Sequence, residues 1–529
     1  MHLSVFICVH LWLILLTSCG SKPTDLRTVI PADALVYLET NDLGKAVAAI
    51  TQNKSFQQLA KTQPDISTLN GIKLAVAVTG FQTSEEAVTE KNSVLNFQPR
   101  FVAVAETNAW NYQALSFTEN KLGEFINETY GGEVTLETSD KHGGKYFVWT
   151  AQDGRKAYAL VLGRLIFFGN DESAIGNCVN VMNGGSESIA GNTKVSAFAS
   201  DSLASGYVSK DGVAQIANIA AVSLAIGAGE EGEVKNFISR VLPEIVRNSI
   251  TEVTWTAHKI NDPPSIEDNY SFFLTQDVVN VLGETIVEST RDPDFGNFIP
   301  AEYTSVTRYS LRNPQVAWRA AVLLAQAKTD QVSGSLIAAF SSALFEAYAI
   351  ENPEMFLSGV HGTLQTVRFD SDGDEAALVA RIKDIEKIKR SVAKEIDFSK
   401  PPKQVQEARI WNSRNGEFAA AEIRDWIVIG ETGSVGKCLD ALQTSLPSSI
   451  STDLQGAPIA SQGNDNDPEA KVIVALSDRK DKKAQLVQFY TSDTTIVRHG
   501  GEVRNTVERH TVSDFGLIGM IIARLDPDN

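Results

Sequence analysis

The residues most suggestive of chemistry follow an apolar run late in the chain. Gly430-Glu-Thr-Gly-Ser-Val-Gly436-Lys437-Cys438 leaves a hydrophobic strand and opens a helix, the setting in which backbone N–H groups cradle phosphate. A phosphate-binding P-loop requires Gly where Glu431 stands and Ser or Thr where Cys438 stands. A structural strand-to-helix turn is therefore expected. Asp514-Phe515-Gly516 has the composition of the kinase magnesium motif, but no catalytic loop or glycine loop precedes it. It reads as the start of a final helix, with Ser513 or Asp514 as N-cap. For metals, His499 with Glu502 and Glu508 with His510 are the local clusters, and zinc needs three or four ligands. The carboxylates of Asp370-Ser-Asp372-Gly-Asp374-Glu375 place Gly fourth, where a calcium loop places it sixth, and no Glu stands at the twelfth position. They read as a turn that puts negative charge at the N-terminus of a charged helix, Glu375 to Ala393. No Gly-x-Ser-x-Gly elbow occurs. No catalytic residue, metal or cofactor follows from these patterns, and a non-enzymatic protein is expected.

The N-terminus is an address. Leu11 to Leu16 form an apolar centre, and Lys22 is the first Lys or Arg. A bilayer span needs about 20 residues, so this run reads as a signal peptide. Leu16-Thr17-Ser18-Cys19 resembles the lipobox of bacterial lipoproteins. The resemblance implies that residues 1–18 are removed and that Cys19 carries acyl chains such as palmitate, which make the membrane its partner. It further implies a tether over 19–28, and, from Gly20, an outer-membrane location facing the periplasm. An ordinary secretory signal cut near Ser18 or Gly20 is the alternative. Cys178 and Cys438 remain in the mature chain; they read as two buried thiols, with a disulfide between them as the alternative.

The 529 residues carry 47 Lys and Arg against 65 Asp and Glu, a net charge of −18. That balance argues against nucleic acid as a partner. With 43% hydrophobic and 21% charged residues the composition is globular.

The elements repeat. Trp149-Thr-Ala-Gln-Asp153-Gly154 matches Trp411-Asn-Ser-Arg-Asn415-Gly416; Ala159 to Gly169 matches Ala420 to Gly430; Gly176-Asn-Cys178 matches Gly436-Lys-Cys438; and Ile30-Pro-Ala-Asp33 matches Ile299-Pro-Ala-Glu302, all in one order. Two copies of one unit are expected, residues 29–295 and 296–529. Each Asx-Gly suggests a type I′ hairpin turn, with a second reversal at Gly163-Arg164 and Arg424-Asp425. Helices carrying Cys178 and Cys438 follow near 171–183 and 432–443. The further pattern predicts strands over 35–39, 73–79, 101–106, 206–208, 252–258, 270–274, 306–309, 363–369, 471–476 and 484–490. Helices are predicted over 43–59, 112–126, 233–246, 316–350 (broken or double) and 516–525, with a loop over 448–468. The fold class is α+β: two related units of antiparallel meander sheets with helices packed on one face.

With its lipobox, duplicated Pro-Ala-Asp/Glu starts and Trp-x-x-x-Asx-Gly hairpins, the chain resembles a family of uncharacterised bacterial envelope lipoproteins. That family has no assigned activity, so the resemblance implies no catalytic residues. The expected function is a binding or scaffold lipoprotein for an unknown protein or hydrophobic ligand. The apolar stretches Val213 to Ala228 and Leu336 to Ile350 are candidate walls of a groove. An envelope hydrolase with its site between the repeats and a carrier of hydrophobic ligand are the alternatives.

Overall fold

The computed structural model describes residues 25–53, 66–89, 92–107, 110–228, 233–261, 264–285, 293–300, 303, 305–370, 374–392, 396–444, 470–477, 492–498, 506–513 and 515–519. Cys19, the expected strand over 484–490 and the expected loop over 448–468 lie outside them, as does most of the final helix. The described residues fall into two compact units. One draws on Met1–Gly44 and Ser67–Phe198, the other on Lys45–Ile66 and Ala199–Asn529.

The first unit is an antiparallel sheet of β1 (Val36–Thr40), β2 (Lys73–Thr89), β3 (Asn92–Glu106), β4 (Thr135–Lys141), β5 (Gly144–Thr150), β6 (Lys156–Leu162) and β7 (Leu165–Gly169). Its spatial order is β1-β2-β3-β7-β6-β5-β4. Between β3 and β4, α1 (Asn111–Phe117) passes through a single π turn (Thr118–Leu122) into α2 (Gly123–Thr129). Ala114 and Ile126 of that segment pack on Phe147, Trp149, Ala159 and Ile166 of the sheet. Helix α3 (Glu172–Met182) leaves β7, and Cys178 lies on its buried side.

The second unit begins with β8 (Ala204–Val208), α4 (Lys210–Ala228), α5 (Glu233–Ser249), β9 (Ile250–Asn261), β10 (Pro264–Leu274) and α6 (Gln276–Thr285). There follow β11 (Ser305–Ser310), α7 (Pro314–Ala327), α8 (Gln331–Phe340), α9 (Pro353–Ser358), β12 (Val360–Arg368), β13 (Ala376–Ile382) and α10 (Ile385–Ser391). It closes with β14 (Lys403–Val405), β15 (Ala408–Asn412), β16 (Phe418–Ile423), β17 (Trp426–Glu431), α11 (Thr432–Thr444), β18 (Ala470–Ser477), β19 (Ser492–Arg498) and β20 (Thr506–Ser513). Pairing runs β14-β15-β16-β17-β13-β12-β11-β18-β19-β20-β10-β9-β8, antiparallel throughout. The stretch β11-β12-β13-β17-β16-β15-β14 has the same connectivity and order as β1-β2-β3-β7-β6-β5-β4, so the α+β class with antiparallel meanders is observed. One face of β13, β16 and β17 packs on Val435, Cys438 and Leu439 of α11. The other packs on Phe356 of α9 and Ile388 of α10.

Helices therefore cover both faces of this sheet, not the single face expected, because both faces of its central strands are apolar. Three further expectations change. Glu375 to Ala393 is not one helix: Ala376–Ile382 is a central strand, paired on both sides by β12 and β17. Ala376-Ala-Leu-Val-Ala is helix-prone in isolation, but burial on both faces of the sheet overrides that preference. The acidic stretch before it accordingly connects two antiparallel neighbours, β12 and β13. The Asx-Gly turns are not type I′, because only the Gly of each pair is left-handed, at φ 86° in Gly154 and 76° in Gly416. Their N–H groups close on Ala151 O and Ser413 O, and the Gly ends the turn. Strands β2 and β3 are also far longer than predicted, pairing from Lys73 with Glu106 out to Thr89 with Asn92.

Candidate functional site

The phosphate-like loop is occupied by its own protein. Glu431 ends β17, and its carboxylate accepts hydrogen bonds from Gly433 N (2.7 Å), Ser434 N (2.6 Å) and Ser434 Oγ (2.7 Å). A side-chain carboxylate thus takes the α11 N-terminal amides that a phosphate would need. Partial burial pushes Glu431 upward, but these hydrogen bonds outweigh it and hold the carboxyl below its usual range. Lys437 turns instead to Glu375 Oε2 (3.5 Å) and lies 4.4 Å over the Phe369 ring. In the first unit Asp171 caps α3 in the same manner, accepting from Ser173 N at 3.0 Å.

Of the other sequence candidates, His499 and Glu502 lie outside the described residues. His142 sits in the β4–β5 turn, His258 in β9, His361 in β12 and His510 in β20. Among the described residues no three His, Cys, Asp or Glu side chains converge as metal ligands. Asp370 Oδ2 accepts from Asp374 N and Glu375 N, each at 3.1 Å, which closes the β12–β13 turn. Cys178 and Cys438 are free and buried, and burial pushes both thiols up to about 12.

Sequence reasoning missed Asp268. It lies in β10, 2% exposed, and accepts from Trp255 Nε1 of β9 at 2.8 Å and from Leu517 N at 2.9 Å. It therefore supplies the cap expected from Ser513 or Asp514. Burial pushes its carboxyl up to about 6. The available signal was Glu267-Asp268-Asn269 inside a strand, where such residues are depleted.

A concave site lies in the helical layer of the second unit. Asn313 caps α7 ahead of Pro314, and Asp330 caps α8 by accepting from Val332 N (2.8 Å) and Ser333 N (3.0 Å). Gln326 Nε2 donates to Gly334 O at 2.9 Å and ties the two helices together. Between them opens a groove of about 440 Å³, with Trp318, Val322, Leu323 and Ala338 as apolar walls. Phe345 braces Trp318 edge-on at 5.1 Å, and Phe340 stacks on Phe237 at 4.9 Å. At the rim Arg319 donates to both oxygens of Glu354, at 2.8 and 2.6 Å. The guanidinium holds Glu354 below the usual carboxylate range. Ser341 Oγ donates to Ala338 O at 3.0 Å. Ser341, Ser342, Glu351 and Asn352 complete the polar side of the lining. Leu323 in the lining is 64% exposed, and elsewhere on α7, α8 and the turn after them Val332 is 71% exposed and Val316, Leu336 and Leu344 are exposed as well. The expected apolar wall Leu336 to Ile350 thus divides: Phe340, Phe345 and Tyr348 are core anchors, while Leu336 and Leu344 face outward.

No family model, curated protein or solved structure matches this chain. Among the described residues no helix is long and apolar enough to cross a membrane.

Proposed function

We propose that this is a lipid-anchored envelope protein that binds an apolar helix of a partner protein and catalyses no reaction. In this reading acylated Cys19 holds it at the outer membrane, facing the periplasm, as a member of the uncharacterised envelope lipoprotein family it resembles. One observation carries the binding role: five large apolar side chains are exposed on the helical segments that form a groove, at whose rim Arg319 and Glu354 are already paired. Residues spaced as Val316 and Leu323 in α7, and as Val332 and Leu336 in α8, form stripes of the kind that receive an amphipathic helix. The stripes extend beyond what a small ligand in a 440 Å³ groove would cover.

A photo-reactive residue placed at Leu336 of the full-length protein in its native membrane tests this. A discrete cross-linked partner is expected, and L323E with V332E should abolish it. An unchanged cross-link in that double variant would sink the groove reading. Turnover of peptidoglycan or phospholipid that point changes in the groove abolish would instead establish the hydrolase. Cys19→Ala should release the protein from membranes, and unchanged retention would count against lipidation.

A further inference from the structure

Strand β4 forms one edge of the first unit's sheet among the described residues. Strand β4, Thr135–Lys141, is exposed at every residue and pairs with β5 alone among the described residues. The β4–β5 turn holds His142 at φ 55° and Gly143 at 82°, the two left-handed residues of a type I′ hairpin. In such a hairpin the closing pair, Lys141 with Gly144, is hydrogen-bonded. By alternation Ser139, Glu137 and Thr135 also direct their backbone groups at β5. Leu136, Thr138 and Asp140 direct theirs outward. The counterpart edge in the second unit is blunted: β14 has three residues and follows Pro401-Pro402. Strand β4 contains neither proline nor bulge, two of the devices that protect an edge; its charges, Glu137, Asp140 and Lys141, are of both signs and therefore block some partners and registers and admit others.

We propose that β4 pairs antiparallel with β4 of a second copy of this chain, centred on Ser139. The charge pattern selects both the occupant and the register. With Ser139 opposite Ser139, Glu137 lies opposite Lys141 of the copy, and the same pair recurs across the twofold. Thr138 then lies opposite Asp140, and these are the residues whose N–H and C=O groups point outward, so the backbone parity agrees with the charges. A one-residue slip would set Glu137 against Asp140 and oppose like charges. Lys141 is already held on that face, 5.0 Å over the Tyr146 ring and ion-paired to Glu172. Less side-chain freedom therefore remains to be lost on pairing. The contact is small and belongs to the weak class of interfaces.

A single added cysteine reads the register. Ser139 would face its own copy at a non-hydrogen-bonded site, where Cα atoms stand about 4.5 Å apart, within disulfide reach. In the full-length protein under mild oxidant, Ser139→Cys should form a covalent dimer at least about tenfold faster than Thr135→Cys, with the parent chain, whose Cys178 and Cys438 are buried, as background. Thr138→Pro removes one outward donor and should suppress cross-linking of Ser139→Cys. Glu137→Lys, a surface change that leaves the strand's own pairing intact, should slow it by about tenfold. Equal rates at 139 and 135, or a rate at 139 that Glu137→Lys leaves unchanged, would overturn the proposal and leave the edge for a strand of a different protein.

Discussion

The two copies of the meander agree where backbones touch and differ elsewhere. Gly169 ends β7 and Gly430 is the penultimate residue of β17, and a Cβ there would lie 2.2 Å from Phe101 O of β3 or 2.1 Å from Ala376 O of β13. No side chain fits at either position, so the two chains pass their neighbours in the same way. Aligned on these glycines, Ala159 corresponds to Ala420. The tryptophans do not keep step: Trp149 lies opposite Ala157, whereas Trp411 lies opposite Ala420. The outer hairpin has slipped by two residues between copies. An even slip returns each side chain to its own face, so both tryptophans still reach the core on the side of Ile166 and Ile427. The periphery is freer still. The first copy carries the long β2–β3 hairpin and a seven-residue edge, whereas the second carries the helical layer with its groove. Diverged function is therefore sought at the rims of the meander rather than in its shared centre.

The largest test of this equivalence is removal of the tryptophans. Trp149 stacks on Phe147 at 5.7 Å, while Trp411 packs on Phe398 at 5.2 Å and donates from Nε1 to Lys400 O at 3.1 Å. Trp149→Ala and Trp411→Ala should each cost about 3–5 kcal/mol by denaturant unfolding. A loss below about 1 kcal/mol in one copy would show that the slip moved its ring out of the core. Next come the glycines. Gly169→Ala and Gly430→Ala should each cost about 3 kcal/mol, because the obstructing atom is a backbone carbonyl that cannot rotate away. Unequal losses would mean that only one copy needs the close approach.

Much of this frame is legible in the sequence. Order, turns and helices of the repeated block follow from Asx-Gly, the glycine pairs and the apolar runs, because those signals are local. Strand β13 is not legible, because Ala376-Ala-Leu-Val-Ala suits a helix until β12 and β17 bracket it. Nor is the groove, whose walls come from residues 318–323, 338–342 and 351–354. Asp268 was hidden for the same reason, since its partners Trp255 and Leu517 arrive from a neighbouring strand and from the chain's last described segment.

Asp268 and Glu431 set a buried helix cap against a half-open one, and their stabilities should run oppositely with pH. Glu431, held below its usual range, contributes stability above that range and loses it as pH falls. Asp268 is pushed up to about 6 by burial, so its ionised form is the costly one in the fold. Its penalty grows as pH rises from about 4 through about 6 and persists above. Asp268→Asn should remove a change on the order of 2–3 kcal/mol over that interval. Stability profiles of the two proteins that stay parallel between those values would refute the assignment.

The smallest effect compares one residue. Both copies reverse direction before their last strand with a left-handed residue, Gly163 at φ 62° in the first and Arg424 at φ 54° in the second. A side chain there costs about 1 kcal/mol, and what Arg424 gains in return is a hydrogen bond of 2.9 Å to Glu407 between two exposed side chains. Exposed pairs contribute little. Arg424→Gly should therefore raise stability by about 0.5–1 kcal/mol, and Gly163→Arg should lower it by a similar amount, read as opposite shifts of the unfolding midpoint. If Arg424→Gly is instead destabilising, the Glu407 pair outweighs the backbone strain, and the second copy has replaced a glycine turn with a charged clasp between β14–β15 and β16–β17.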